Sequence, residues 1–157
     1  MTGSGGGSVG RIGHLGRRFL RALSRRAPAR ADQQWALSCL TSGEAELWSR
    51  LSNADQRHSL EVARRFEELV GHCSHEETAA ALLHDIGKLE CGLGTFGRVI
   101  ATLVGPHTAR FRSYHDHERI GAEQLRAAGS APLTVALVEG SSERTDLLDA
   151  LRRADDI

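Results

Sequence analysis

The sequence predicts an all-α fold with a flexible, basic N-terminal arm, and three observations support this prediction. Apolar residues recur at helical spacing in one segment after another, and we find no convincing alternation of β-branched residues of the kind that strands show. The 157 residues, 40% hydrophobic and 25% charged, have the composition of a soluble globular chain and the length of one domain. No apolar run approaches the roughly 18 residues of a membrane-spanning helix, so we expect no transmembrane segment.

The first helices of the body are predicted from apolar spacing and capping residues. Two short helices are expected at 32–40 and 43–51, because each carries a tryptophan and leucines at helical spacing. A longer helix is expected over 53–70, with Ser52 or Asn53 as its N-cap.

The second half of the body is also predicted to be helical. An Ala- and Leu-rich helix is expected over 76–85 and should end at Gly87 in a left-handed conformation. Pro132 occupies a favourable first position of a later helix. The remaining helices are expected at 96–104, 118–128 and 144–155.

The charges divide the chain into two predicted regions, 1–30 and 31–157. Residues 1–30 combine a Gly-rich lead with a basic amphipathic segment, and they hold seven arginines and no acid. The remaining 127 residues carry 13 basic and 20 acidic side chains, so the net charge of zero conceals a basic arm before an acidic body. Two interpretations remain open: the arm binds an anionic membrane or nucleic acid, or it docks on the acidic body.

The chain has three cysteines without Cys-x-x-Cys spacing, and it has no recognisable signal peptide. These two observations indicate reduced thiols and a cytoplasmic location.

Two aspartates occupy unfavourable positions at predicted helix C-termini. Asp85 follows His84 just before Gly87, and Asp155 lies on the apolar face of the last helix, in its final turn. A carboxylate there faces the negative end of the helix dipole, so a nearby positive charge is expected to compensate it. Two such acids suggest a shared cation.

His58 is a candidate third component of this cation site. Two imidazoles and two carboxylates would form a mixed nitrogen and oxygen set, which suits Mn, Fe, Co, Ni, Zn or Mg and leaves positions for water or substrate. Taken singly, His58 is equally typical of a semi-buried helical histidine, and Asp155 of a solvated terminal residue. The specificity therefore lies in the order of the motifs along the chain.

That order resembles the HD-domain superfamily of metal-dependent phosphohydrolases, over roughly residues 54–157. DQRHSLEVA contains His58, ALLHDIGK contains His84 and Asp85, and LRRADDI contains Asp155. The resemblance implies that these four residues bind one divalent metal ion at the centre of a helical bundle. HDHERIGAEQL is similar to the family's His-x-x-x-Gly-Ala element, which implies that His117 faces the substrate or a second ion.

The sequence departs from the binuclear members of this family at one position. Near the place where those members carry a His-His pair, this chain has Ser141 and Ser142, and serine hydroxyls are poor ligands for a second divalent ion. We therefore predict a single ion.

The catalytic set predicted from this reasoning is Asp85, Lys88 and His117. Lys88 is the only lysine in the chain and follows His84 by four residues, which suits a phosphate contact, although a surface lysine near a helix C-terminus is the alternative. His117 is predicted to act as a general acid or to bind phosphate. Arg98 and Arg119 are weaker candidates for substrate contacts.

Two functional hypotheses follow. The first is a phosphohydrolase that acts on a nucleotide or another small phosphate ester through a metal-activated water. The second is a catalytically weak or inactive regulatory module that binds metal and a phosphorylated ligand. Turnover with any divalent ion distinguishes them.

Overall fold

A computed structural model of the chain describes residues 26–89 and 109–156, with side chains from residue 117 onward in the second range. The described residues form seven α-helices and one short 3-10 helix, without strands, which confirms the all-α prediction. We number them in chain order: α1 (Arg30–Ser38), α2 (Ser42–Ser49), α3 (Asn53–Val70), α4 (His75–Leu83), the 3-10 helix η1 (Ile86–Leu89), α5 (Ala109–Ala127), α6 (Pro132–Glu139) and α7 (Thr145–Asp155).

Three helices begin at hydroxyl side chains that cap them. Thr41, Ser52 and Ser74 each accept a hydrogen bond from the amide three residues later, at 3.4, 3.2 and 3.3 Å. In α2 and α4 the reciprocal bond is also present, because Glu44 and Glu77 accept from the cap amides. Of the two predicted caps of α3, Ser52 is therefore the one used.

The 18-residue helix α3 packs against both α4 and α7. On the other side, α5 packs against η1 and α6, and α4 also contacts α6. The side chains that fill the space between these elements include Phe66, Leu82, Ile86 and Leu125, all fully buried. This arrangement brings one end of α3, α4 and α7 together, where the predicted metal ligands lie.

The end of α4 differs from the prediction. The helix ends at Leu83 with His84 as C-cap, two residues earlier than expected, and the chain then turns into η1. The prediction that Gly87 ends the helix in a left-handed conformation is wrong, since positive φ angles among the described glycines occur at Gly71, Gly129 and Gly140. Gly87 is required for a different reason, because a Cβ atom there would overlap the carbonyl oxygen of His117.

Helix α5 begins nine residues before its predicted start at 118. Residues 109–117 carry no apolar period, but they also contain no proline or glycine to interrupt the helix. Pro132 is the first residue of α6, as predicted, and Gly140 caps it with φ 75°.

Two predicted segments fall outside the described residues. They are the helix at 96–104 and, apart from Arg26, the basic amphipathic segment at 11–26. No helix in the described part of the chain has both the length and the apolarity to cross a bilayer.

Candidate metal centre

His84 is the most constrained side chain of the site. It lies at the C-cap of the buried helix α4, and its side chain is 9% exposed. Its Nδ1–H donates to the carbonyl oxygen of Ala81 at 2.9 Å. This bond leaves Nε2 as the free nitrogen, and Nε2 is buried without a hydrogen-bond partner. A buried nitrogen in this state usually costs free energy, so Nε2 is the atom of His84 that an additional partner would bind.

Two carboxylates and a second imidazole surround that nitrogen. Nε2 of His84 lies 3.3 Å from Oδ1 of Asp155 and 3.6 Å from Oδ2 of Asp85. Nε2 of His58 lies 2.9 Å from the same Oδ1 of Asp155. The two imidazole rings meet edge to face, with centroids 5.5 Å apart. The structure therefore brings together all four residues that the sequence predicted.

The four residues come from three separate elements. His58 lies near the start of α3, His84 and Asp85 follow α4, and Asp155 is the last residue of α7. Asp155 reaches the site because α7 packs against α3 through its apolar face, where Leu148 and Leu151 are buried.

The electrostatic environment favours positive charge between the two carboxylates. Burial by itself lowers the pKa of His84, but the negative charges of Asp85 and Asp155 outweigh it, and the pKa is raised. Burial raises the pKa of Asp155, yet the hydrogen bond with His58 and the nearby imidazole of His84 lower it far below the usual range. For Asp85, burial is likewise outweighed by His84 and Lys88, and the pKa is lowered. Both acids thus stay ionised.

The donor set fits a divalent metal ion. One ligand atom from each of His58, His84 and Asp155 lies within 4.8 Å of the others. Atoms that share an ion at bond lengths of about 2.0–2.2 Å stand roughly 3 Å apart, close to the separations observed here. The backbone bond of His84 also matches the usual outer support of a metal-binding histidine, whose second nitrogen donates to a carbonyl or carboxylate.

A cavity of about 110 Å³ adjoins this cluster. Lys88 and His117, predicted to contact substrate, both line it. Lys88 forms an ion pair with Oδ2 of Asp85, so that oxygen has a cationic partner from the chain itself. The close approach of Gly87 to the backbone of α5 brings His117 to the same cavity.

Arg119, Ser141 and Ser142, which the sequence also singled out, are not part of the described lining. Arg119 pairs with Glu123 on an exposed face of α5, and Arg98 lies outside the described residues. Ser141 and Ser142 follow Gly140, which does line the cavity. The Ser142 hydroxyl accepts from the amide of Arg144 at 3.2 Å, so its role here is to support the turn before α7.

Two charged residues of the cavity, Glu118 and Arg152, were not predicted from the sequence. Glu118 directly follows His117. Arg152 precedes Asp155 by three residues, a spacing that puts both on one face of a helix. That spacing was a usable signal, because Asp155 had already been assigned to the site.

Comparison with known families agrees with the geometry. The family model named HD domain matches residues 56–155, a range that includes all four candidate ligands. The comparisons with curated proteins and with solved structures gave no match. Since the matched range is more than half of the chain, the protein belongs to the HD-domain family, whose domain is typical of metal-dependent phosphohydrolases.

Proposed function

We propose that this protein is a metal-dependent phosphohydrolase that acts on a nucleotide or another small phosphate ester. The observation that carries the proposal is the buried, unpartnered Nε2 of His84, which faces two carboxylates beside a cavity lined by Lys88 and His117. A site that served only the stability of the bundle would not need this combination. Membership of the HD-domain family supports the same conclusion.

His58, His84, Asp85 and Asp155 are the residues that would hold the ion. When bound, a divalent ion supplies an activated water and polarises a phosphoryl oxygen. The mixed set of imidazoles and carboxylates suits Mn, Fe, Co, Ni, Zn or Mg. We propose one ion, because the hydroxyl of Ser142 is already engaged by the backbone and that of Ser141 donates to Glu139.

The protein's own side chains would then handle the substrate's charge and protons. The Lys88 ammonium is positioned to neutralise a non-bridging phosphoryl oxygen and is only about a third exposed, which strengthens its interaction with an anion. His117 would donate a proton from its imidazole to the leaving oxygen. Apolar side chains of α6 and α7 line the rest of the cavity and restrict the access of bulk water.

The test is turnover of a panel of nucleotides and phosphate esters with Mn, Co, Ni and Mg. We expect hydrolysis of at least one ester that depends on added metal and falls more than about a hundredfold in His84→Ala, in keeping with the several kcal/mol that a metal centre contributes to such reactions. Arg119→Gln serves as the control, because Arg119 is paired on an exposed face, and it should retain activity.

A second candidate function is a regulatory module that binds metal and a phosphorylated ligand without turning it over. The observation that favours it is the pair of serines at 141 and 142, whose hydroxyls are engaged elsewhere and provide no ligands for a second ion. A protein that binds metal stoichiometrically but hydrolyses no member of the panel would support this function and exclude the first.

A further inference from the structure

We propose that Arg152 binds the substrate's phosphoryl group as a second cation beside Lys88. The inference rests on the proposed function, since it assigns a substrate contact within the same cavity. Arg152 lies within the motif LRRADDI, but the motif assigned no role to it. Arg152 belongs to α7 and Lys88 to η1, so the two cations approach the cavity from different elements.

The chemistry of the described cavity wall leaves few donors for an anion. Leu137, Val138, Leu148 and Leu151 offer no polar side-chain atom, and they form the apolar part of the wall. The amide of Gly140 already donates within the end of α6, to the carbonyl of Leu137 at 3.3 Å.

The charged residues of the wall further limit which side chains can donate hydrogen bonds to an anion. The carboxylates of Asp85, Glu118 and Asp155 accept hydrogen bonds and repel an anion. His84 uses its Nδ1–H on the Ala81 carbonyl, so among the lining side chains described, Lys88, His117 and Arg152 remain as donors to phosphoryl oxygens. Of these, arginine alone has the planar fork that binds two phosphoryl oxygens at once.

Arg152 is held more loosely than Arg126 and Arg144. Its side chain is 64% exposed, and its ion pair with Asp149 has a separation of 3.5 Å. Arg126 and Arg144, in contrast, contact their carboxylate partners at 2.8 and 2.7 Å. A guanidinium held this loosely can turn toward a ligand at little cost, because an exposed ion pair is worth about 1 kcal/mol or less.

A simpler explanation for Arg152 is a favourable interaction with the C-terminal end of the α7 dipole. That explanation applies equally to Arg153, which lies in the same last turn and is exposed. Only Arg152 lines the cavity. Arg153 is therefore a matched control with the same charge, the same helix and the same dipole.

The net charge of the cavity is a second reason to assign phosphate binding to Arg152. Three carboxylates and two permanent cations line the described wall, which leaves one negative charge in excess when the histidines are neutral. A divalent ion reverses the sign and leaves one positive charge in excess. Loss of Arg152 cancels that excess, so phosphate affinity should depend both on the metal and on this arginine.

The experiment measures the affinity of the Mn²⁺-loaded protein for inorganic phosphate by isothermal titration calorimetry, with bound Mn²⁺ determined in parallel. Four proteins are compared: wild type, Arg152→Gln, Arg152→Lys and Arg153→Gln. We expect Arg152→Gln to bind phosphate at least tenfold more weakly with unchanged metal content. Arg152→Lys should fall between it and wild type, and Arg153→Gln should remain within twofold of wild type.

Equal phosphate affinity in wild type and Arg152→Gln, at equal metal content, would overturn this proposal. Equal losses in Arg152→Gln and Arg153→Gln would overturn it as well, because they would reflect net charge and not a contact. A different result would exclude the proposed hydrolase activity. If no ester of the panel is hydrolysed but Arg152→Gln alone weakens phosphate binding, the anion site stands and the enzymatic proposal does not.

Discussion

The orientation of the His84 ring determines which atom of this residue is available to a ligand. Its Nδ1–H is committed to the carbonyl of Ala81, which fixes the tautomer with a free lone pair on Nε2. That lone pair points toward Asp85 and Asp155, whose negative charges would attract a cation. The position of His84 at the end of α4 is what makes the Ala81 carbonyl accessible, since the last carbonyls of a helix lack partners within it.

Lys88 compensates the charge of Asp85, and its removal should destabilise the metal-free protein most. We expect Lys88→Gln to lower the free energy of unfolding by about 1–2 kcal/mol, because a carboxylate that is 20% exposed loses its ion pair. Urea denaturation in EDTA measures the effect. With Mn²⁺ present the loss should shrink, because the bound ion neutralises Asp85 in place of the lysine.

The matched control for Lys88 is Arg119→Gln, which breaks an ion pair whose partners are both more than half exposed. We expect it to cost less than about 0.5 kcal/mol in either condition. Equal destabilisation by the two substitutions in EDTA would show that the pair of Lys88 with Asp85 behaves as an ordinary surface pair.

At the scale of elements, the contact between η1 and α5 sets the position of His117. Gly87 and Gly121 face each other across this contact, and a Cβ atom on Gly121 would stand 3.2 Å from the amide nitrogen of Gly87. Two glycines thus let a helix pass close to the turn that follows Asp85. This explains physically why a glycine four residues after His117 belongs to the motif.

A methyl group at Gly87 should separate these two elements. We expect Gly87→Ala to lower the free energy of unfolding by about 1–3 kcal/mol, because the added atom overlaps backbone that cannot move aside without shifting α5. Hydrolytic turnover should fall by at least tenfold as His117 leaves the cavity. Urea denaturation and steady-state kinetics measure the two effects.

Gly129→Ala provides the comparison, because Gly129 has φ 78° and open space around it. It should cost about 1 kcal/mol from backbone strain alone and leave turnover unchanged. If Gly87→Ala matched it in both stability and turnover, the close contact would have no part in positioning His117.

The elements also show where sequence patterns suffice and where they fail. Ser52 and Pro132 act locally on the backbone that follows them, so the starts of α3 and α6 were predicted from a few neighbouring residues. The role of Gly87 depends on a helix that arrives about 30 residues later in the chain, and no local pattern contains that information. Arg152 differs from Gly87, because its spacing of three residues from Asp155 was a local signal that could have placed it near the site.

At the scale of the whole molecule, the N-terminal arm and the rest of the chain differ in the sign of their net charge. Residues 1–25 contain five arginines and no acid. Near the point where the chain enters the body, a groove of about 780 Å³ is lined by four arginines and three acids, and the Arg57 guanidinium donates to the carbonyl of Arg26. This groove offers no excess of negative charge to hold a basic segment, so we propose an external polyanion, and not this groove, as the arm's partner.

Removal of residues 1–25 should therefore abolish retention on heparin at low salt, because the remaining chain has five more acids than bases. The melting temperature should stay within about 2 °C of the full-length value, less than the shift that a loss of roughly 1 kcal/mol causes in a domain of this size. A lower melting temperature with unchanged heparin retention would instead support docking of the arm on the body.

The central claim concerns His58, His84, Asp85 and Asp155, four residues that the order of motifs predicted. Ligand atoms of three of them lie within 4.8 Å of one another, and Oδ2 of Asp85 lies 3.6 Å from Nε2 of His84. The most direct test is the metal content of purified protein by elemental analysis, for wild type, His84→Ala and Asp155→Asn, with Arg153→Gln as the control on α7. We expect about one divalent ion per chain in wild type and control, and less than about a tenth of that in both site variants. Wild-type metal content in His84→Ala and Asp155→Asn would contradict the assignment of the site.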